Sequence, residues 1–277
     1  MIGFLIINYN DAKTTIHLLE NIKDYSCIDQ IVVVDNHSTD DSFDVLKAYE
    51  SEKVVLLRRE DGRQFGAGIN FGLRYLEKQG ITHTFISNSD IEISCEEELK
   101  KIIKHKNEGT ILAPRIQEHT GVNQGWKVPS NTQLVLSAIP FFYRFFVNSN
   151  RYDKSYYQED FLPVEVVSFC FFFVRIAKIR EVGYLDENLF LYFEENTMSC
   201  KLHKKDIYLC LDSSVFHNHS VTINKNLNRK KKYQTLSSSR RYFAKHYNGA
   251  GFFSLFCLWL LEKVTLCGFC IVGLFQK

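Results

Sequence analysis

Four short polar segments in the N-terminal part of the chain are candidates for ligand binding. They are Asn8-Tyr9-Asn10, Asp35-Asn36, the glycine-rich segment from Gly66 to Gly72, and Asn88-Ser89-Asp90. Each follows an apolar run with the length of a buried strand. If these runs are parallel strands of one sheet, the segments lie together at its carboxyl edge, where open α/β sheets bind ligands. The sequence therefore predicts one polar crevice.

Asp35, Asn88 and Asp90 have the chemistry to hold a nucleoside diphosphate. Asp35 ends a run of three valines, where an acid can accept hydrogen bonds from a base or a ribose hydroxyl. The alternative is a helix N-cap, for which Ser38 or Asp40 is better placed. Asn88 and Asp90 point the same way in an extended segment, and hard oxygen ligands suit magnesium or manganese. An ordinary turn is the alternative there.

The glycine-rich segment differs from the dinucleotide-binding fingerprint. Three residues separate Gly68 from Gly72, and the segment follows the third apolar run rather than the first. We interpret it as a turn into a helix whose amide groups approach a phosphate or sugar, with Asn70 projecting into the same crevice. A plain helix start is the alternative.

A second candidate site combines carboxylates with aromatic residues. Its acids are Asp186, Glu187, Glu194 and Glu195. Acids beside aromatic side chains are candidates for a raised pKa and general-base catalysis. Glu194 and Glu195 would lie about 100° apart around a helix, so only one can point inward; a charged helix N-terminus is the alternative. His217, which closes a later β-rich run, is either a metal ligand or a core histidine.

Four buried strands are expected to position the polar segments. They are predicted at Phe4 to Ile7, Ile31 to Val34, Val54 to Leu57, and Thr84 to Ser87. Between them apolar residues recur at helical spacing, and Ser94 with Glu97 predicts a capping box for a helix that ends near Lys106. This alternation predicts a doubly wound α/β fold with a mainly parallel sheet.

The regular alternation ends near residue 114. Residues 114–163 are predicted to be loop-rich, with a patch formed by Phe141, Phe142, Phe145 and Phe146. A β run from Val164 to Val174, a short helix, an acidic helix start at Glu194 and a strand ending at Phe216-His217 should follow. The expected organisation is a catalytic domain over residues 1–220, with halves 1–113 and 114–220, and a helical extension over residues 221–277.

Composition excludes several classes of protein. The chain has 277 residues, of which 45% are hydrophobic and 24% charged, which excludes disorder and a multi-span membrane protein. A net charge of +2 argues against bulk binding of nucleic acid. Among eight cysteines only Cys267 and Cys270 have paired spacing, so no zinc site is expected. The first apolar run is too short for a signal peptide, and we expect a cytoplasmic protein with reduced thiols.

The C-terminal residues favour attachment to a membrane surface. No acidic residue occurs between Ser213 and Leu261, and the run from Phe252 to Phe275 is interrupted only by Glu262 and Lys263. Two charges at mid-span oppose a spanning helix, since each costs about 2.5–3.5 kcal/mol. We expect two short apolar segments in the interface of the inner face of the cell membrane, with the basic stretch facing anionic headgroups. The alternative is a helical pair packed on the core.

Taken in chain order, these segments resemble glycosyltransferase family 2, inverting enzymes with the nucleotide-sugar-binding fold called GT-A. The resemblance covers roughly residues 1–247. Beyond the four N-terminal segments it includes Gly183 through Glu187, Phe193-Glu194-Glu195, and Val215-Phe216-His217. The chain is most similar to the rhamnosyltransferase-type branch that builds bacterial surface polysaccharides, such as capsule, where N-x-D replaces the D-x-D metal motif.

The resemblance implies a role for each candidate residue. Glu195 would be the catalytic base, with Glu194 in reserve because Glu-Glu replaces the usual Glu-Asp. A divalent metal, manganese or magnesium, would be held by Asp90 and His217. Two further departures are Thr197, where an acid is usual, and Arg240-Arg241, where Arg-Asn is usual. The donor-binding residues would be Asn8, Tyr9, Asp35, Asn36, Gly68, Asn70, Asn88 and Asp90.

The expected activity is a single displacement. A sugar would pass with inversion from a nucleoside diphosphate donor, dTDP-rhamnose or a UDP-hexose, to a hydroxyl of a glycan acceptor. The expected acceptor is lipid-linked, such as a growing glycan on a polyprenyl carrier. A nucleotidyltransferase is one alternative, with Lys13 and Arg63 as the basic residues for a triphosphate. A membrane-bound glycan-binding protein with a decayed active site is the other.

Overall fold

The computed structural model describes residues 1–62, 64–119, 121–123, 125–139, 149–218 and 228–275. The phenylalanine patch at residues 141–146, Arg63 and the domain boundary expected at residue 220 lie outside these ranges. The other expected boundary, between residues 113 and 114, falls within a strand.

In the part of the chain that the structure describes, ten strands form one sheet. They are β1 (Ile2–Asn8), β2 (Gln30–Asp35), β3 (Val54–Arg58), β4 (His83–Asn88), β5 (Ile91–Glu92), β6 (Ile111–Glu118), β7 (Gly121–Asn123), β8 (Phe161–Pro163), β9 (Phe171–Arg175) and β10 (Ile207–His217). The main order is β3-β2-β1-β4-β9-β6-β10-β5, with β7 beside β6 and β8 beside β10. The four N-terminal strands are mutually parallel, and β9 inserts antiparallel between β4 and β6. The sheet is therefore mainly parallel, and the four predicted strands are confirmed.

Helices surround the sheet and extend beyond it. They are α1 (Ala12–Ile22), α2 (Ser42–Leu46), α3 (Phe65–Lys78), α4 (Glu96–Ile103), α5 (Asn131–Ser137), α6 (Ile176–Glu181), α7 (Glu194–Lys201), α8 (Arg229–His246) and α9 (Phe252–Phe275). Short 3-10 turns occupy Lys47–Tyr49 and Lys154–Tyr156.

The sheet has a hydrophobic core on each face, which explains why its strands show no polar alternation. On one face Leu5 and Val32 pack with the α3 residues Ile69, Leu73 and Leu76. The opposite face buries alternate residues of the same strands against α1 and α4, namely Phe4, Ile6, Ile31 and Val33 with Leu18, Leu19, Ile22, Leu99 and Ile102. Consecutive strand residues point to opposite faces, so a strand covered on both sides is apolar throughout. The doubly wound arrangement is confirmed.

Several local predictions were wrong. α4 begins after Cys95 without a side-chain cap, so Ser94 and Glu97 form no capping box; the helix ends at Ile103. The region predicted as loop-rich contains β6 up to Glu118, β7, α5 and β8. Only the end of the β run from Val164 is regular strand, because β9 begins at Phe171. For β8 and β9, pairing with distant strands sets the strand bounds, and local sequence does not report such pairing.

The C-terminal residues form one long helix, which corrects the expected two short segments. α9 contacts α8 and α5, and Leu258 is buried with Leu134 and Phe243. The Glu262 carboxylate lies 2.5 Å from Arg241 Nη1 of α8, so this charge is satisfied within the chain. No helix in the described part of the chain is both long and apolar enough to cross a bilayer.

Candidate active site

Three of the four polar segments meet at the carboxyl edge of the sheet. β1 pairs in parallel with β2 and with β4, and the register places Asn8 beside Asp35 and Ile7 beside Asn88. Adjacent strands lie about 4.8 Å apart, so the ends of β2 and β4 are about 10 Å apart across β1. That span suits a nucleotide-sized ligand. The three segments therefore lie close enough to form the predicted crevice.

Asp35 forms the buried centre of this edge. Its carboxylate accepts hydrogen bonds from Asn8 Nδ2 at 2.8 Å and from the Ser38 amide at 3.2 Å. Asn8 Oδ1 in turn accepts from Thr15 Oγ1 at 2.8 Å. Asn8 and Asp35 are both fully buried, whereas Tyr9 is half-buried. The Asp35 carboxylate therefore holds the loops after β1 and β2 together, and each of its oxygens can accept one further hydrogen bond.

Arg59 is a residue of the crevice that the motif reading missed. It is buried just after β3, and its Nη1 donates to Asn36 Oδ1 at 2.8 Å while its Nε lies 2.9 Å from Asp61 Oδ1. Asn36 also sits against Gly68, where an added Cβ would approach Asn36 Oδ1 to 2.9 Å. Gly68 therefore makes room for Asn36. A sequence signal was available, since Arg58 and Arg59 directly follow the strand predicted at Val54 to Leu57.

Asn70 does not open onto the crevice, which corrects its expected orientation. α3 begins at Phe65, so the glycine-rich segment is already helical rather than a turn. The Asn70 amide donates to Leu185 O at 3.0 Å and Glu187 Oε1 at 2.8 Å, and its Oδ1 accepts from the Leu185 amide at 3.0 Å. The fully buried Asn70 side chain thus anchors the loop that contains Leu185 and Glu187.

Asp90 and His217 are brought together by strand pairing. β5 follows Asp90 directly and pairs antiparallel with the end of β10, so Asp90 Oδ1 lies 3.2 Å from His217 Nε2. Glu118 Oε1 lies 3.6 Å from His217 Nδ1 on the other side of the ring. Burial lowers the pKa of His217, but hydrogen bonds with Asp90, Cys170 and Glu118 outweigh it and raise the pKa to about 12. Cys170 and Glu118 were not singled out from the sequence.

The pair of Asp90 and His217 suits a divalent cation whose remaining ligands come from a substrate and from water. Within the described ranges there is no cluster of three His, Cys, Asp or Glu residues arranged to hold a metal ion. Magnesium and similar hard cations are commonly bound through one or two protein ligands, with substrate phosphates and waters filling the other positions. A buried carboxylate beside an imidazole offers two such ligands, and metal binding would displace the proton between them.

Glu195 lies at the start of α7, after a strained turn. Tyr192 and Phe193 have φ angles of +74° and +72°, in the left-handed region that side chains rarely adopt. Such residues cost about 1–3 kcal/mol each and cluster at functional sites. Thr197, which replaces an expected acid, donates through Oγ1 to Glu194 O at 2.9 Å and so secures the same turn.

The two glutamates have different surroundings. Glu194 is 3% exposed, whereas Glu195 is half-buried and lines a cavity of about 310 Å³ together with Trp126 and Arg240. Burial raises the pKa of both carboxyls, and the charge of Glu195 raises that of Glu194 further. Only Glu195 lines this cavity, as the helical geometry required.

α8 holds the loop that carries these acids. Asp186 Oδ2 accepts from the hydroxyls of Tyr242 at 2.9 Å and Tyr247 at 2.7 Å, and Asp186 Oδ1 accepts from Asn188. Arg240 is buried beside Glu195, whereas Arg241 turns toward Glu262. The basic pair therefore divides between the cavity and α9, and Asp186 has a structural role.

Comparison with known families decides the identity. Residues 4–183 match the family described as glycosyl transferase family 2. The chain belongs to this family. As a family 2 member it is a glycosyltransferase, which favours that activity over the nucleotidyltransferase alternative. The matched stretch contains the crevice at the carboxyl ends of β1, β2 and β4, whereas Glu195 and His217 lie beyond it.

One curated relative and several solved structures are similar to this chain. The low-salt glycan biosynthesis hexosyltransferase Agl10 of Haloferax volcanii is 23% identical over 230 residues, which cover 79% of this chain and 68% of that protein. Among solved structures, GalNAc-T7 with UDP, GalNAc and Mn²⁺ matches at a TM-score of 0.57 and 14% identity. The match covers 79% of this chain but only 44% of the GalNAc-T7 chain.

Two further structures cover most of the family 2 chain. S. aureus TarS 1-349 matches at a TM-score of 0.55 and 16% identity, over 91% of this chain and 74% of its own. The mannosyltransferase PcManGT from Pyrobaculum calidifontis, in complex with GDP-Man and Mn²⁺, matches at a TM-score of 0.53 and 12% identity. The match covers 99% of this chain and 80% of the PcManGT chain. These structural similarities show that the fold is GT-A-like; at such low sequence identity they show the fold alone.

Proposed function

We propose that this glycosyltransferase moves a sugar with inversion from a nucleoside diphosphate donor, dTDP-rhamnose or a UDP-hexose, to a hydroxyl of a glycan acceptor. The observation that carries the proposal is Glu195, a carboxylate with a raised pKa in the wall of a cavity. A general base with a pKa above the ordinary carboxylate range is closer to the operating pH and accepts a proton more effectively.

Glu195 acts as the base of a single displacement. The acceptor hydroxyl gives its proton to the Glu195 carboxylate, and its oxygen forms a bond to the anomeric carbon of the donor. The bond from that carbon to the diphosphate breaks on the opposite face, and the nucleoside diphosphate leaves with the bonding electrons. This geometry inverts the anomeric configuration.

The donor occupies the carboxyl edge of the sheet. Asn8, Tyr9, Asp35, Asn36 and Asn88 lie around its nucleoside and phosphates. Asp90 and His217 would hold a divalent cation, manganese or magnesium, whose charge stabilises the departing diphosphate. Support for the cation comes from the donor set of this pair and from the Mn²⁺ in two structural neighbours.

The acceptor is carried on a lipid, and the enzyme is held at the cytoplasmic membrane surface. α9 exposes large apolar residues along one side, among them Phe252, Phe253 and Trp259, and the first turn of α8 is strongly basic. Such a surface binds the interface of an anionic bilayer. The test is co-sedimentation with two kinds of vesicle, one containing anionic lipids and one made of charge-neutral lipid. Stronger sedimentation with the anionic vesicles, weakened by salt, would support this attachment. No sedimentation with either kind of vesicle would contradict it.

Replacement of each glutamate in turn tests the proposed base. Glu195→Gln should retain donor binding yet lose transfer by about 10²-fold or more. Glu194→Gln is the matched control, because its amide imitates a buried Glu194 kept neutral by its raised pKa, so most activity should remain. Near-normal turnover by Glu195→Gln would defeat the assignment.

Metal-dependent turnover distinguishes an enzyme from a decayed binding protein. A panel of nucleotide sugars with manganese should identify one donor that the protein converts, with release of nucleoside diphosphate. The product linkage, read by NMR, should have the anomeric configuration opposite to that of the donor. Binding of glycans without turnover of any donor would favour the decayed alternative, and retention of configuration would exclude the single displacement.

A further inference from the structure

A second cavity adjoins the one that contains Glu195. It has a volume of about 440 Å³, within the range of small-molecule sites, which is roughly 300–1,000 Å³. Pro129, Gln133 and Asn150 line both cavities, so the two share a wall at the start of α5. The second cavity is therefore the immediate neighbour of the space that Glu195 lines.

The second cavity combines two lysines with neutral hydrogen-bonding groups. Lys127 and Lys204 contribute positive charge, and the acid in the lining is Glu165, whose Oε2 accepts from the Val128 amide at 2.8 Å. Lys127 Nζ also lies 5.2 Å from the centre of the Tyr152 ring. The titratable lining thus carries a net positive charge, which favours an anionic ligand.

The cavity also reaches the turn between α8 and α9. Asn248 of this turn lines it and is tied to its wall, since Asn131 Nδ2 donates to Asn248 O at 2.9 Å and Asn248 Nδ2 donates to Pro129 O at 2.9 Å. Four residues later Phe252 and Phe253 begin α9 with 87% and 77% of their surfaces exposed. An exposed apolar stripe then continues along the helix through Phe256, Leu260 and Val264.

We propose that the second cavity binds the phosphate of a polyprenyl phosphate or diphosphate acceptor, and that the lipid chain lies along the exposed stripe of α9. This inference rests on the proposed function and deepens it by assigning the site that holds the acceptor's phosphate. Three features stand in sequence: the base, the cationic cavity that shares its wall, and the apolar helix that begins beside that cavity. They match the order of sugar hydroxyl, phosphate and lipid in such an acceptor.

The arrangement also limits the length of the acceptor glycan. Because the two cavities are neighbours, the attacked hydroxyl and the lipid phosphate belong to the same short headgroup. The acceptor therefore carries a very short glycan. A preceding reaction must supply it by placing the first sugar, or a sugar phosphate, on a polyprenyl phosphate.

Calorimetric titration of the full chain with geranyl diphosphate tests the proposal, with EDTA present so that no cation draws the diphosphate to Asp90 and His217. Geraniol and inorganic diphosphate serve as the lipid-only and phosphate-only probes. We expect geranyl diphosphate to bind most tightly and the double variant Lys127→Ala/Lys204→Ala to weaken it by about 10-fold or more. The matched control is Lys78→Ala/Lys106→Ala, which removes equal charge at exposed positions elsewhere.

Each outcome decides one part of the proposal. If both double variants bound geranyl diphosphate with equal affinity, the phosphate site would be overturned. Geraniol binding as tightly as geranyl diphosphate would overturn it as well. Inorganic diphosphate binding as tightly as geranyl diphosphate would overturn the role of α9. Glu195→Gln should bind geranyl diphosphate normally, so failure of the proposed catalytic base and failure of this site give different results.

Discussion

Asp90 Oδ1 and His217 Nε2 lie 3.2 Å apart at the end of the sheet, although the residues are distant in sequence. The contact arises because His217 pairs with Ile91, the first residue of β5. A two-residue strand thereby adds a histidine from the C-terminal half to the polar edge formed by the N-terminal strands. The proposed cation site depends on this pairing.

Substitution of Asp90 or His217 should weaken cation-dependent binding of the donor. We expect Asp90→Ala to lose at least about 10²-fold in turnover and His217→Gln somewhat less, since the carboxylate supplies the charge. The readout is the rise in melting temperature with manganese and the nucleoside diphosphate, which both variants should lose. His17→Gln, at an exposed histidine, is the control. An unchanged stabilisation in Asp90→Ala would show that the cation binds elsewhere.

The pH dependence of kcat should report the acid pair at the start of α7. Burial raises the pKa of Glu195, and the base must be deprotonated to accept a proton. Activity should therefore fall as pH decreases, with a midpoint above the ordinary carboxylate value of about 4.3. Because Glu194 and Glu195 interact, the midpoint belongs to the pair. A profile flat down to pH 4.5 would contradict a carboxylate base with a raised pKa.

Asp186→Asn should destabilise the protein and loosen α8. Burial tends to raise the pKa of Asp186, but bonds from Asn188, Tyr247 and Tyr242 outweigh it and lower the pKa. The stabilisation is thus present above the unfolded-state pKa and lost as pH falls through the lower folded pKa. We expect a loss of about 2–4 kcal/mol in the free energy of unfolding near neutral pH.

A double-mutant cycle with Tyr247→Phe tests whether this loss comes from the hydrogen bond. The two changes should be less than additive, because each removes the same bond of 2.7 Å. Strict additivity would mean that Asp186 stabilises α8 through other contacts.

Gly72→Ala should destabilise the protein although alanine is the better helix former. An added Cβ would lie 2.3 Å from Leu5 Cδ1, and such overpacking costs about 1–3 kcal/mol. Gly268→Ala in α9, where an added Cβ meets nothing within 4 Å, should be neutral or stabilising by up to about 1 kcal/mol. Chemical denaturation measures both, and Leu5→Val should partly rescue Gly72→Ala. Equal effects of the two alanines would contradict this close approach.

The N-terminal half of the fold was predictable from sequence because its determinants are local. Strands buried on both faces are apolar throughout, and Asp35 and Asn88 mark where β2 and β4 end. Parallel pairing then places those residues at one edge. The strand ending at His217 and the helix starting at Glu194 followed from equally local signals.

The remaining features depend on contacts between distant segments. Asn70 seemed by position to face the crevice, yet hydrogen bonds to Leu185 and Glu187 turn it away. The single long α9 depends on Leu258 packing against Phe243 and on the pairing of Glu262 with Arg241, neither of which a local window contains. The sequence showed two arginines after the predicted third strand, and the contact with Asn36 is what singles out Arg59.

A crystal structure with the identified nucleotide-sugar donor and manganese tests the account most directly, with the anomalous signal locating the metal. The account predicts manganese between Asp90 and His217, contacting the diphosphate, with the Glu195 carboxylate on the face of the anomeric carbon opposite that diphosphate. Manganese bound away from Asp90, or a donor whose anomeric carbon faces away from the Glu195 cavity, would contradict it.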